Sequence, residues 1–366
     1  PSDKSVVLLT GATGSLGAYV LDALLKNPRV ERIYTLNRGA DGLSRLQNSL
    51  SAKGLPAATD RVISIEATLS EPYFGLAVEQ YKKLLGEVTD VVHNAWKVDF
   101  NQAIDSFATH VSSVRRVIDF SAHSAYGAKI TFISSVSAVS GLGKNASEQI
   151  HEDRAAPGIT GYGQSKYISE VVLDVAAKQA STPAEILRVG QVAGPLGQAG
   201  IWPKQEWLPS LVASSKYLGI LPDSLGRMQT IDWIPVDVLG QAIAEIVLNS
   251  SEDSNASGAK VYHLANSKHT DWSTLLPAIA KGLGAGIKVV PLADWVKALH
   301  ESEDKTEDAD KNPAVKLLDF FNDLARSGAS EVALQTKNAL EASKTLAELG
   351  PVQESWVENW LKQWNF

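Results

Sequence analysis

The stretch Ser5-Val-Val-Leu-Leu-Thr10, followed directly by Gly11-Ala12-Thr13-Gly14-Ser15-Leu16-Gly17, decides the reading of the fold. Its first six residues form a short apolar run of the kind that makes a strand buried on both faces. From Leu16 to Lys26 apolar residues recur three and four apart, which reads as a helix. In the turn between them, Gly11 permits a sharp change of direction, Gly14 lets backbone N–H groups approach a pyrophosphate, and Gly17 lets helix and sheet close up. The helix N-terminus brings unpaired N–H groups and partial positive charge to the turn, so the loop is expected to hold a dinucleotide.

The same strand-then-helix rhythm continues outward. Short runs at Arg32–Asn37, Arg61–Glu66, Asp90–His93, Lys129–Ser134 and Ala184–Val189 read as further strands. Helical patterns at Leu76–Leu85, Asn101–Ser121 and Gly163–Lys178 lie between them. Alternation of this kind builds a parallel sheet, so the expected class is α/β, a Rossmann-type doubly wound parallel sheet with a smaller, mainly helical C-terminal substrate region. After Gly194 the texture changes, with Gly, Pro and Trp frequent through Gly226, as in loops around a pocket. Thr230–Val236, the helical pattern Val238–Leu248 and the run Lys260–Leu264 read as a return to the main sheet. The expected division is therefore residues 1–195 with 228–265 as the dinucleotide-binding domain, and 196–227 with 266–366 as a substrate-binding and lid region. Glu301–Lys311, rich in acids and Lys, reads as a solvated connector.

Composition excludes several classes. The chain has 366 residues, 44% apolar and 20% charged, with 27 Gly and 15 Pro, which rules out disordered, collagen-like and low-complexity chains. It contains no Cys, so a disulfide scaffold, a thiol nucleophile and a thiolate metal site are all excluded. No metal is expected, because His93, His110, His123 and His151 lack ligand spacing. A net charge of −7 would repel nucleic acid and anionic membranes at long range, so neither is an expected partner. No run reads as a membrane span and no signal-peptide layout opens the chain, which makes the cytosol the expected address. The start at Pro1, without Met, suggests a segment of a longer protein, expected to act as a monomer when excised.

The end of the second strand selects the cofactor. An NADH site would place Asp or Glu there for the ribose 2′-hydroxyl, whereas this chain has Asn37-Arg38-Gly39. The guanidinium of Arg38, with Arg45 as a second fork, suits a 2′-phosphate dianion, so NADPH is expected.

Tyr162 and Lys166 are four residues apart at the start of a helical pattern and project from one face. Hydride addition to a carbonyl creates an oxyanion that needs a donor, and a phenol beside an ammonium is a stronger acid than a phenol alone. Lys166 is expected to lower the Tyr162 pKa and to hold the nicotinamide ribose. Ser135, at the end of the fifth strand, is expected to share the same oxygen, with Ser134 as the adjacent alternative. All three groups then converge on the C-terminal edge of the sheet, where open α/β folds bind ligands.

With these residues placed, the chain resembles the extended short-chain dehydrogenase/reductase superfamily over about its first 265 residues. Within that superfamily it is most similar to the terminal thioester reductase domains of nonribosomal peptide synthetases, their single-module relatives, and carboxylic acid or aminoadipate reductases. The resemblance is carried by Thr10-Gly11-Ala12-Thr13-Gly14 with Leu16-Gly17, by the Arg38 to Arg45-Leu46 spacing, by His93-Asn94-Ala95-Trp96 with Val98 and Phe100, and by Asp232-Trp233-Ile234-Pro235-Val236-Asp237. Trp356-Val-Glu-Asn-Trp360 with Gln363-Trp364 also looks like the end of such an enzyme.

The resemblance implies NADPH held by Gly11, Thr13, Gly14, Ser15, Leu16, Gly17, Arg38 and Arg45, with Asn94 and Ala95 beneath it, Tyr162 and Lys166 at the ribose, and Val189, Gln191 and Val192 bordering the nicotinamide. The chain departs from the family at Ala67-Thr68-Leu69-Ser70, where Gly-Asp-Leu-Ser is usual, so adenine contacts would fall to Thr68 and Leu69. The implied reaction is reductive release of an acyl thioester from a carrier protein's phosphopantetheine arm, belonging to an upstream domain of the same megaenzyme, to an aldehyde and onward to an alcohol if a second NADPH is used. Trp96, Phe100, Trp202 and Trp207 are candidates to line the acyl tunnel, and Arg115 and Arg116 are candidates for carrier docking. The alternatives are an extended reductase or epimerase acting on a free carbonyl or nucleotide sugar, and a dinucleotide-sensing module without catalysis.

Overall fold

The computed structural model describes residues 4–143, 145–249, 258–303, 311–326 and 332–366. Most of the expected connector Glu301–Lys311 lies outside the described residues. The strands β1 (Ser5–Thr10), β2 (Val30–Asn37), β3 (Val62–Glu66), β4 (Asp90–His93), β5 (Lys129–Ser135) and β6 (Ala184–Val189) join the strand Lys260–Leu264 in a seven-stranded sheet. From one edge the order is Lys260–Leu264, β6, β5, β4, β1, β2, β3, and every pairing is parallel. This is the doubly wound Rossmann-type α/β architecture. The order reverses between β1 and β4, and ligands of such sheets bind beyond the strand ends at that point.

Parallel strands need crossover helices, supplied here by α1 (Ser15–Lys26), α2 (Gly42–Ala52), α3 (Val78–Glu87), α4 (Ala108–His123) and α5 (Gly161–Ala180). Alternate strand residues Leu8, Leu36, Val91, Ile130, Phe132 and Ile186 pack against Tyr81 and Leu84 of α3, Val114, Val117 and Phe120 of α4, and Leu173 of α5. The register brings the C-terminal residues Thr10, His93, Ser135, Val189 and Leu264 to one edge, with Thr10 opposite His93, Ser135 opposite Val189, and Val189 opposite Leu264.

The chain forms two compact units. One comprises Pro1–Val192, Val236–Ala265 and Val332–Glu348, and the other Ala193–Pro235, Asn266–Glu331 and Leu349–Phe366. Two placements differ from the sequence reading. Thr230–Val236 does not return to the main sheet, and its Thr230–Ile231 portion pairs antiparallel with Thr270–Asp271 inside the second unit. Val332–Glu348, expected in the substrate region, packs with the first unit. There the Asn338 amide donates to the Val261 carbonyl at 3.2 Å and the Glu148 carboxylate accepts from the N–H groups of His263 and Ala339 at 2.9 and 3.0 Å. The physical reason is the exposed rim of Lys260–Leu264, an edge strand whose unpaired backbone needs covering.

The second unit has a core of its own, in which Trp202, Trp233, Trp272, Trp295, Trp360 and Trp364 are almost wholly buried. The indole N–H of Trp202 donates to Glu206, that of Trp272 to Pro222, that of Trp295 to Ser215, that of Trp360 to Pro195 and that of Trp364 to Trp202, at 2.7–3.1 Å. Paired N–H groups allow these large rings to be buried without loss.

Candidate active site

Gly11 adopts φ +73°, a left-handed conformation open to glycine, and the turn it makes is tight enough that a Cβ on Gly17 would lie 2.0 Å from the Gly11 carbonyl oxygen. The Asn94 amide braces this turn by donating to the same oxygen at 3.2 Å. Thr10 Oγ1 accepts from the N–H groups of Asn94 and Ala95, both at 3.0 Å, and its own proton is directed to His93 Nδ1 at 3.0 Å. That leaves His93 Nε2 to donate to Ser113 Oγ at 3.1 Å, and Ser113 donates to the His110 carbonyl at 2.5 Å. Burial pushes the His93 pKa down to about 3, so the ring stays neutral and works as a spacer between the loops. No local pattern marks Thr10, His93 and Ser113 as a brace, because Thr10 meets His93 through the β1–β4 pairing and Ser113 comes to them from α4.

The loop fits a dinucleotide phosphate. Gly14 caps α1 with no side-chain hydrogen bond, and the first turn carries no acid. The N–H groups there are thus set toward an anion, and the loop positions Thr13, Ser15 and Leu16 lie around them. At the end of β2, Asn37 turns its amide back to the Thr35 carbonyl and Ser64 Oγ, at 3.2 and 3.0 Å, and Arg38 is exposed. Arg45 pairs with Asp41 at 3.0 Å and also donates to the Arg38 carbonyl, which ties the loop carrying Arg38 to α2. After β3, Thr68 is exposed and Leu69 half-buried, with the Thr68 N–H donating to Phe74 O at 2.8 Å. Beyond β6, the Gly190 N–H donates to Leu264 O at 2.9 Å, and Gln191 and Val192 are half-buried.

The other half of the site is built by α5. Thr160 caps the helix by accepting from the Gly163 N–H at 3.1 Å, and Gly161 is so close to the preceding loop that a Cβ would lie 2.4 Å from the Gln102 carbonyl oxygen. This seats Tyr162 against the segment that carries Phe100 and Phe107, whose rings stand edge-on to it at 4.8 and 6.1 Å. Tyr162 is 6% exposed while Phe100 is 54% exposed, so Phe100 is the outer cover. Ser135 lies close enough to the phenol to pull its pKa down, while its hydroxyl donates to Ser137 Oγ at 3.2 Å and accepts from the Ser137 N–H at 3.2 Å. Ser134 points elsewhere and donates to Glu170 at 2.5 Å, leaving Ser135 as the serine at the phenol.

Lys166 is 2% exposed and donates to the Ile133 carbonyl at 2.6 Å. Here the electrostatics correct the sequence reading. Burial pushes the Tyr162 pKa up to about 12, with the Ser135 hydrogen bond pulling the other way. Burial also drives the Lys166 pKa well down, opposed by the nearby Glu170. The ammonium is turned to a strand carbonyl instead of the phenol, and desolvation outweighs the acidifying effect expected of it.

Glu170 itself was not singled out from sequence. It lies one turn beyond Lys166 and forms a fully buried pair with Arg188 at 2.7 Å, which in turn meets His263 Nε2 at 3.1 Å. The i, i+4, i+8 spacing of Tyr162, Lys166 and Glu170 was the available signal. Other candidates are displaced. Trp202 is core of the second unit at 1% exposure, and Trp207 packs on Trp233 and Phe320, so the aromatic character of both is spent on packing. Arg115 and Arg116 both turn onto Asp119, at 2.8 and 3.5 Å. No group of His, Asp and Glu among the described residues could hold a metal ion, and no helix among them is long and apolar enough to cross a membrane.

A parallel sheet with a glycine turn at the strand-order reversal, and a Ser, a Tyr and a Lys gathered at the same edge, defines a Rossmann-type dinucleotide-binding fold with a polar cluster at its ligand edge. Residues 9–243 match the NAD-binding family described as male sterility protein, and the chain belongs to that family. It is 39% identical to a carboxylic acid reductase of Neurospora crassa across the whole chain and 36% of that protein. The chain spans about a third of the length of the first curated relatives it matches. Among solved structures, the terminal R domain from the myxalamid PKS-NRPS biosynthetic pathway superposes with a TM-score of 0.81 at 24% identity, covering 98% of this chain and 90% of that one. A thiolation-reductase di-domain from an archaeal nonribosomal peptide synthetase superposes with a TM-score of 0.74 at 18% identity, covering 99% and 75%.

Proposed function

We propose that this chain reduces an acyl thioester, carried on the phosphopantetheine arm of a carrier protein in the same polypeptide, to an aldehyde at the expense of NADPH. The observation that carries the reading is the gathering of Ser135, Tyr162 and Lys166 at the sheet edge that holds the glycine turn. The carboxylic acid reductase and R-domain relatives support the reaction class, and the thiolation-reductase di-domain supports a carrier as partner. The exposed Arg38, in place of an acid, supports NADPH over NADH.

The cofactor, held by Gly11 through Gly17 with Arg38 at its 2′-phosphate, supplies hydride when bound. The chain's own residues do the rest. Gly161 and Thr160 fix Tyr162 at the carbonyl, where the phenol and Ser135 hydrogen-bond the oxygen as negative charge develops on it. A phenol near 12 keeps its proton at neutral pH and transfers it only as the oxyanion forms, which gives a hemithioacetal. Expulsion of the sulfur with a proton then leaves aldehyde and free thiol. Phe100 covers the phenol and limits water at it.

Purified protein with NADPH should consume acyl-pantetheine thioesters, with aldehyde as a product by mass spectrometry. Tyr162→Phe should lower kcat by about 10²-fold or more while NADPH binding persists. NADPH oxidation with free ketones or nucleotide sugars but not with thioesters would overturn the proposal, as would full turnover in Tyr162→Phe.

A further inference from the structure

We propose that Trp96 is a positioning residue for Lys166, its indole face holding the side-chain nitrogen in place and favouring the ammonium form. The inference rests on the reading above, in which Lys166 is one of the three groups gathered at the reaction centre.

Lys166 Nζ lies 4.1 Å from the centre of the Trp96 ring, 4.8 Å from Phe132 and 5.9 Å from Tyr162. An ammonium has three protons to place, and the hydrogen bond described for this one goes to the Ile133 carbonyl. Three aromatic rings also stand around it, with Trp96 the nearest. Trp provides the strongest aromatic face, and the attraction grows when water is excluded, as it is around a side chain 2% exposed.

The position of the ring points the same way. Trp96 is clamped edge-on by Phe132 at 5.5 Å and His93 at 6.3 Å, and tilted against His110 at 5.1 Å. Its buried indole N–H has no hydrogen-bond partner among the described residues, whereas five indole N–H groups of the second unit are paired. A ring chosen for packing alone would do better as Phe, which has no donor to leave unsatisfied. What Trp adds over Phe at this place is a larger and more negative face toward Lys166.

The charged and titratable groups around Lys166 are Glu170 and Tyr162 on α5, His93 on β4, His110 on α4, and Arg188 on β6 acting through Glu170. His93 is neutral, and burial with Lys166 itself lowers His110. Glu170 is engaged by Arg188 and Ser134. Removing the π face therefore makes the ammonium give up its proton at lower pH, and turnover that needs it declines at lower pH.

The test compares Trp96→Phe, Trp96→Leu and site-specific fluorinated tryptophans at position 96, which keep the shape and drain the face of negative charge. We expect Trp96→Leu to lower kcat about ten-fold, with NADPH affinity within two-fold and the alkaline limb of the kcat profile moved to lower pH. Trp96→Phe should stay within about three-fold, and log kcat should fall stepwise with added fluorine. A flat fluorine series, or a Trp96→Leu enzyme with unchanged kcat and pH limb, overturns the proposal. Lys166→Ala separates the two levels: an inactive Lys166→Ala with a flat fluorine series sinks the role of Trp96 alone, and a fully active Lys166→Ala sinks the use of Lys166 in the reaction.

Discussion

At the residue scale, the two halves of the site were legible to different degrees. Gly11 and Gly17 could be read because a positive φ and a carbonyl 2.0 Å from a would-be Cβ admit only glycine. Tyr162 and Lys166 could be read from spacing, but not the direction of their pKa shifts, which burial sets and sequence does not disclose. The Ile133 carbonyl that receives Lys166 is main chain and has no signature at all. Arg38 carries the sharpest prediction at this scale. Replacing it with Ala should weaken NADPH by about ten- to a hundred-fold, the worth of a charge-assisted phosphate contact, and leave NADH within about two-fold. Parallel titrations of nicotinamide fluorescence would decide it, and equal losses for the two cofactors would deny Arg38 its phosphate.

At the element scale, α5 does more than present a donor. Tyr162, Lys166 and Glu170 share one face, and the last of them locks α5 to β6 through Arg188 and to β5 through Ser134, whose strand partner in register is Arg188. Buried charges of this kind are held by each other, and removing one leaves the other uncompensated. Glu170→Gln should therefore destabilise the fold by about 3–5 kcal/mol. Urea unfolding measures this, and a loss below about 1 kcal/mol would show that the carboxylate is not what balances Arg188. The reading of Thr230–Val236 failed at this same scale. Its apolar residues suit a strand, yet which strand they pair with is decided by partners distant in sequence.

At the scale of the whole molecule, the first unit buries two imidazoles that stay neutral. Burial holds both His93 and His263 at about 3, with Arg188 adding to the effect at His263. Unfolded, each would titrate near 6.5. Between those values the unfolded chain binds protons that the folded chain refuses, so stability is retained above about pH 6.5 and declines as pH falls toward 3. Each ring adds a slope of up to about 1.4 kcal/mol per pH unit. Buried carboxyls such as Asp90 and Glu185, raised by burial, oppose this trend. The clean measurement is thus the difference between the native chain and His93→Asn, whose stability should decline less between pH 6.5 and 4. Parallel slopes would mean that the ring is protonated in the fold.

By itself the sequence determined the parallel sheet, its glycine turn and the residues that meet at its edge, because strand and helix periods and the steric needs of glycine are local properties of the chain. Only the tertiary structure decided that Ser134 and Ser135 part company, that Lys166 rests under Trp96, and that Val332–Glu348 returns to cover an edge strand. Those outcomes depend on what is brought close across tens or hundreds of residues, where desolvation and unpaired backbone set the terms.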